Sequence, residues 1–295
     1  MPDASLVESA LNDIKQLMQG AKFSQAEERL LDLRADSPRH GDILYMLAVC
    51  QRYLKKYSVA IDTLRQLKSF VPDHSRAYQE TGHVFRAMNN IDAALNSYSQ
   101  AILINPALEA SFRAQIEILR SIGRSDLNMR LSDLESQLTL LQTMPKPLIA
   151  VTDLIAQGKL VKAEKLCKAF MQKNPRHIHG MCLLADIGVR LGVLEDAEFL
   201  LESAVEFAPL NTKARIDYIQ VLRKQQKYQE ALGHATILIQ QDATNPQFQS
   251  VFAVESMQSG DYETALKTFD LILDILPEDP VTLTSRGHAL KTHGQ

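Results

Sequence analysis

Arg52, Arg86 and Arg120 stand 34 and 34 residues apart, and a guanidinium repeated at a fixed interval is a means of holding anions. Each offers five donors in a rigid planar fork, which matches carboxylate, phosphate or sulfate oxygens with paired hydrogen bonds. Arg76, His83 and Arg113 join them, and Glu117 partly offsets their charge. Two uses of this set stay open. The arginines bind an acidic ligand, or they pair with Glu80, Glu117 or neighbouring acids, an arrangement worth little where it is exposed.

Other chemistry is sparse. The chain has no GxxxxGK[ST] loop to cradle phosphates, no GxGxxG after a strand, no HExxH and no GxSxG elbow. His177 and His179 form an HxH in PRHIHG, but no carboxylate or cysteine stands nearby at a ligand spacing, so no metal site is expected. Acidic pairs such as Glu27-Glu28 and Glu195-Asp196 read as solvent-facing helix charge. No catalytic residue and no cofactor are expected in this chain.

The 295 residues are 45% hydrophobic, enough for two ordinary domains or one extended array and too apolar for disorder. A net charge of −3 gives no general footprint for nucleic acid, so any charged site must be local. The opening MPDASLVES lacks a basic and then apolar leader, and no later run approaches the roughly eighteen apolar residues of a membrane span. A cytoplasmic protein with neither membrane nor nucleic-acid partner is the expectation. Cys50, Cys167 and Cys182 are odd in number and far apart, which fits buried thiols better than a disulfide framework.

The elements that must position the arginines follow from a period. Pro38, Pro72, Pro106, Pro175, Pro209 and Pro277 are separated by 34, 34, 69, 34 and 68 residues. Twelve residues before each stands an alanine, Ala26, Ala60, Ala94, Ala163, Ala197 or Ala265, and Ala231 fills the same slot where the proline has become Ala243. Between these markers apolar residues recur at helical spacing, and strand-like alternation is absent.

This pattern resembles the tetratricopeptide repeat, a helix-turn-helix unit of 34 residues. Tyr78, Gly82, Phe85, Ile91, Ala94, Tyr98, Ala101 and Pro106 fall on its signature positions, as do Leu184, Ala185, Gly192, Leu194, Ala197, Ala204 and Pro209. Complete units start near Val7, Gly41, Ser75, Glu109, Met144, Ile178, Thr212 and Pro246. The resemblance implies an all-α, right-handed superhelical solenoid whose concave groove binds protein or peptide, possible acidic partners included. Small residues such as Ala48, Gly82 and Ala185 let the paired helices approach, while Phe23, Tyr57, Ile91, Leu160, Leu194, Tyr228 and Tyr262 close the turns.

The same resemblance places the second, fifth, ninth, twelfth and thirteenth residues of each first helix on the groove. Arg52, Arg76, His83, Arg86, Arg113 and Arg120 then line the first block. Leu148, Ile155, Asp186, Val189, Gln220, Arg223, Lys224, Val254 and Met257 give the second block a more apolar wall, with Cys182 and Ile216 beside them. The Lys and Asn pattern of chaperone carboxylate clamps is missing, since the corresponding residues include Leu11, Lys15, Val49, Gln79 and His83. The asparagine ladder of O-linked N-acetylglucosamine transferases is missing as well.

The fourth unit departs from the family. Leu127, Leu131, Leu134, Leu138 and Leu141 form one helical stripe, read as core, on a second helix running to Thr143 with Leu127 in the alanine slot. The Met144-Pro145-Lys146-Pro147 junction is expected to divide residues 1–143, repeats one to four, from 144–295, repeats five to eight and the first helix of a ninth. That last helix, within RGHALKTHGQ, is expected to continue into a partner. Its GHALKTHG is similar to repeats of bacterial proteins in which such an array precedes a sulfotransferase domain. A substrate-recruiting arm of a transferase is therefore the alternative to a stand-alone scaffold.

Overall fold

Each regular second helix begins on the apolar residue that closes the turn before it. A computed structural model describes residues 4–294, so Gln295 of the final stretch lies outside the described residues. Seventeen α-helices and one 3-10 turn make up the regular structure, with no strand among the described residues. The chain divides into two compact units, Met1–Lys159 and Leu160–Gln295.

The first unit comprises α1 (Ala4–Gln19), α2 (Phe23–Asp36), α3 (Gly41–Tyr53), α4 (Tyr57–Phe70), α5 (Ser75–Ala87), α6 (Ile91–Ile104), α7 (Glu109–Ile122), α8 (Asn128–Thr143) and α9 (Lys146–Ala156). The second comprises α10 (Leu160–Lys173), α11 (Ile178–Leu191), α12 (Leu194–Phe207), α13 (Thr212–Lys224), α14 (Tyr228–Gln241), α15 (Pro246–Gln258), α16 (Tyr262–Ile275) and α17 (Pro280–His293). First helices start at Gly41, Ser75, Glu109, Ile178, Thr212 and Pro246, where the period places them. The periodic prolines stand two residues beyond the second helices they follow, where a helix cannot continue.

The turns share one backbone device. The residue two before a second helix is left-handed: Ala21, Lys55, Asn89 and Gln226 at φ 55–61°, Gly158, Gly192 and Gly260 at 69–92°. Asn89 and the three glycines enter this region readily, whereas Ala21, Lys55 and Gln226 take it at a steric cost. Gly123 takes the same conformation at φ 66°, but α8 starts five residues later rather than two. A 3-10 turn at Ser125–Leu127 fills the gap. Leu127 thus lies outside the helical alanine slot; the fourth residue of α8, where the other second helices carry alanine, is Leu131. The leucine stripe is core: Leu134 and Leu141 are buried, and Leu127, Leu131 and Leu138 pack against the cluster that includes Phe112, Ile116 and Leu119.

Elsewhere the fourth residue of the second helix is Ala26, Ala60, Ala94, Ala163, Ala197, Ala231 or Ala265, each fully enclosed. Opposite them the first helices offer Ala48, Gly82 and Ala185. Where α5 crosses α6, a Cβ added at Gly82 would lie 2.6 Å from Cε1 of Tyr98. The Tyr98 ring is buried and its hydroxyl is 2.7 Å from Nδ1 of His83, so it has no free direction of retreat. Gly82→Ala is expected to destabilise this hairpin by about 2 kcal/mol through overpacking. An earlier first transition in urea, with faster amide exchange in α5 and α6, would show it; an unchanged profile would mean the ring relocates freely.

Candidate functional site

The arginines at the 34-residue interval occupy equivalent places near the ends of α3, α5 and α7, and each has found a carboxylate. Arg52 pairs with Glu80 of α5, Arg86 with Glu117 of α7 at 2.9 Å, and Arg120 with Glu135 of α8 at 2.8 Å. Arg113 pairs within its own helix with Glu109 at 2.5 Å, and Gln142 donates to the same oxygen at 2.9 Å. The ladder is internally neutralised, yet the pairs are unequal. Glu80 is 3% exposed and Arg52 lies over the Tyr53 ring at 4.3 Å. Removing that guanidinium would strand a buried carboxylate. The pairs of Arg86, Arg113 and Arg120 are exposed at both ends; such pairs are worth about 0–1 kcal/mol and exchange partners readily.

His83 has a different role from the one its place in the ladder implies. Its ring packs edge-on against Tyr98 at 5.3 Å as well as contacting the hydroxyl. Burial, reinforced by the charges of Arg52 and Arg86, lowers its pKa to about 4. It is a neutral structural imidazole at pH 7. Burial also raises the Glu80 carboxyl, against the pull of Arg52.

Arg76 joins a cluster that sequence spacing does not reveal. Its guanidinium is 3.0 Å from Oδ2 of Asp153 on α9, while Asn105, fully enclosed just after α6, donates from Nδ2 to Oδ1 of Asp153 at 2.8 Å. Gln157 donates to Oδ2 at 2.8 Å. A carboxylate from α9 is therefore held by residues 48 and 77 positions away in the chain.

In the second unit Arg223 of α13 approaches Glu255 of α15 to 2.6 Å. Glu255 is completely enclosed, and its oxygens accept no well-directed hydrogen bond. The short contact and the missing bond are compatible: the guanidinium is close but off-axis, so charge rather than a hydrogen bond holds the carboxylate. Burial raises the Glu255 carboxyl. Asp186 pairs with Arg190 at 3.0 Å, Gln220 and Lys224 are exposed, and Val189, Val254 and Met257 are partly exposed. Leu148 and Ile155 correct the expected wall. Both are buried and both belong to α9 of the first unit, so they pack rather than present a surface. Among the described residues no group of three or more His, Cys, Asp or Glu is arranged to hold a metal, and His179 Nε2 is a buried atom without a partner.

Comparison with known proteins bears on what this arrangement belongs to. Tetratricopeptide-repeat models match residues 42–74 and 75–108. Residues 42–108 thus carry tetratricopeptide repeats. A model described as the cytochrome c-type biogenesis protein H TPR domain matches residues 168–282. A putative cytochrome c-type biogenesis protein CcmH of Haemophilus influenzae is 27% identical over 112 residues, which make up 37% of this chain and 24% of that protein. The match thus spans about a quarter of that relative's length. Among solved structures, MamA from Desulfovibrio magneticus is 13% identical with a TM-score of 0.46, over 50% of this chain and 83% of that one. A thermophilic tetratricopeptide-repeat protein of Thermus thermophilus is 17% identical with a TM-score of 0.41, over 73% and 98%. The tetratricopeptide repeats make a scaffold fold rather than a catalytic one.

Two consequences are measurable. Folded His83 binds its proton less tightly than an unfolded histidine near 6.5, so stability is lost as pH falls from about 6.5 through about 4, by up to about 3 kcal/mol. Glu80, raised by burial, acts in the opposite sense. The difference between wild type and His83→Gln in urea melts at neutral and acid pH isolates the histidine; equal pH dependence in the two would refute it. Asn105→Ala should cost the first unit about 2 kcal/mol, because Asp153 and the Ala107 amide each lose a partner. Amide exchange along α9 should accelerate, and unaltered protection there would count against the cluster.

Proposed function

We propose that the chain is a docking scaffold whose first unit takes an acidic segment of a protein or peptide on the groove side of its first helices. The supporting observation is the inequality among the ladder's ion pairs. Arg86, Arg113 and Arg120 are half exposed and held by carboxylates that are themselves exposed, so a ligand's carboxylates can replace Glu117, Glu109 and Glu135 at little net cost. Arg52, committed to buried Glu80, and His83, committed to Tyr98, frame the groove without contacting the ligand. The resident acids also tune selectivity, because a neutral or basic segment gains nothing by displacing them.

The match over residues 168–282 favours an extension of this reading to the second unit, in which a polypeptide handled during cytochrome c biogenesis is the partner to try first. The comparisons add no support for a transferase arm. Among the described residues no helix is long and apolar enough to cross a membrane. A cytoplasmic setting belongs to the proposal, supported by three separate buried thiols.

The variant Arg86→Glu, Arg113→Glu, Arg120→Glu, titrated with a labelled acidic peptide at two salt concentrations, tests the first unit. Affinity should fall at least tenfold and the salt dependence should flatten, since exposed charge contacts are screened. Unchanged affinity together with an unchanged salt slope would overturn the reading.

A further inference from the structure

The second unit carries two opposite rows of charge on neighbouring helices. The outer face of α10 presents Lys162, Lys165, Lys168 and Lys173, all exposed, with Ala169 and Gln172 between them. Their spacing of three, three and five residues keeps them on one side of the helix, opposite buried Ala163 and Cys167. Among the described residues only Lys168 of the four is ion-paired, to Glu164 of its own helix at 2.6 Å. The next second helix, α12, contains Glu195, Asp196, Glu198, Glu202 and Glu206 and no lysine or arginine. Glu195, Phe199, Glu202 and Glu206 follow a four, three, four spacing and form one exposed stripe. Of these acids, Glu198 alone is ion-paired among the described residues, to Lys227 at 2.5 Å.

Between the two rows runs an open cleft of about 280 Å³ with an apolar floor that includes Leu184, Ile187 and Leu191. Lys168 and Asp196 stand on its two banks. Phe199 is 69% exposed at the acidic rim, and Val161, on the basic helix, is 72% exposed.

We infer that this face of α10 and α12 is a self-complementary surface through which two copies of the chain pair. The basic and acidic rows each run over twelve residues of helix, about 16 Å from first to last. Because α10 and α12 are both second helices of consecutive repeats, they run in the same direction. A two-fold axis lying in the contact plane and parallel to the cleft therefore sets α10 of each copy over α12 of the other. Every lysine row then meets a glutamate row, in one register, twice. This is the signature of an isologous contact, in which the same patch serves both sides. The apolar cleft lies along the axis with a charged row on either side of it, the order found in protein interfaces, and Phe199 of each copy lies over α10 of the other. An unrelated acidic protein would satisfy α10 but leave the acidic row of α12 facing it, a like-charge contact that disfavours it. A lipid surface meets the same acidic row, and the apolar side of α10 that would enter a bilayer is spent on the core.

Sedimentation of the full chain at low and high salt tests the inference. Wild type should run at twice its 33.1 kDa at low salt and dissociate as salt rises. A basic-row variant (Lys162→Glu, Lys165→Glu, Lys168→Glu, Lys173→Glu) and an acidic-row variant (Glu195→Lys, Asp196→Lys, Glu202→Lys, Glu206→Lys) should each be monomeric. Mixed together they should re-form a dimer, because one carries two acidic rows and the other two basic ones. Phe199→Ala, a milder change, should weaken wild-type pairing at least tenfold. Wild type monomeric at low salt, both reversal variants pairing as wild type does, or a mixture that stays monomeric would each overturn it. So would a monomer that the lysine row carries onto vesicles rich in anionic lipid.

Discussion

Every hairpin that retains the alanine depends on how closely two helix backbones can approach. A methyl group at the fourth residue of each regular second helix, from Ala26 to Ala265, is the largest side chain the crossing tolerates, and all seven are sealed from water. Close approach makes each helix pair a plate with apolar residues on both faces, and a plate of that kind is stable only when it stacks on the next. Gly82 against Tyr98 is the limiting case, where even a methyl is excluded.

Where the constraint is absent, the regularity is lost. In the fourth unit the turn begins in register, with Gly123 left-handed like its counterparts. No alanine follows to bring the helices together, and the chain takes an extra 3-10 turn before α8 begins with leucines where alanine would be. α9 buries Leu148, Val151 and Ile155. Its attachment includes a polar element as well, Asp153 between buried Asn105 and half-exposed Arg76. A fully enclosed amide aimed at a carboxylate holds a helix in one orientation, because any shift leaves Asn105 without a partner at the cost of its desolvation.

The helices were almost wholly legible in the sequence because their determinants are local and repeat. Tyr57, Ile91 and Leu194 mark helix starts, and Pro72 and Pro106 mark stops, without knowledge of any distant contact. The same cannot be said of charge. Glu135 as the partner of Arg120 depends on where the irregular α8 lies, and Asp153 as the partner of Arg76 on the course of α9; neither has a periodic signal. Glu255 resembles any helix acid until its burial is known. Leu148 and Ile155 have the right register for a groove, but both are buried. Glu195 and Asp196 read as ordinary surface charge when taken singly. Their meaning comes from the lysines of α10, one repeat earlier in sequence and across a single cleft in space.

The arginine at the twelfth place of the first helix shows why the core and the surface of such a chain carry different information. Arg52, Arg86 and Arg223 occupy that place in three repeats, and their acids lie at the sixth, ninth and tenth places of the following first helix: Glu80, Glu117 and Glu255. A guanidinium on a long stem reaches any of these, so the pairing tolerates drift along the helix in a way that Gly82 beneath Tyr98 does not. The depth of the acid then decides what the arginine is free to do. Glu80 and Glu255 are enclosed and keep their guanidinium in place, whereas Glu117 lies in solvent and leaves Arg86 free to exchange. The backbone repeats every 34 residues, but the capacity to bind is set one carboxylate at a time by burial.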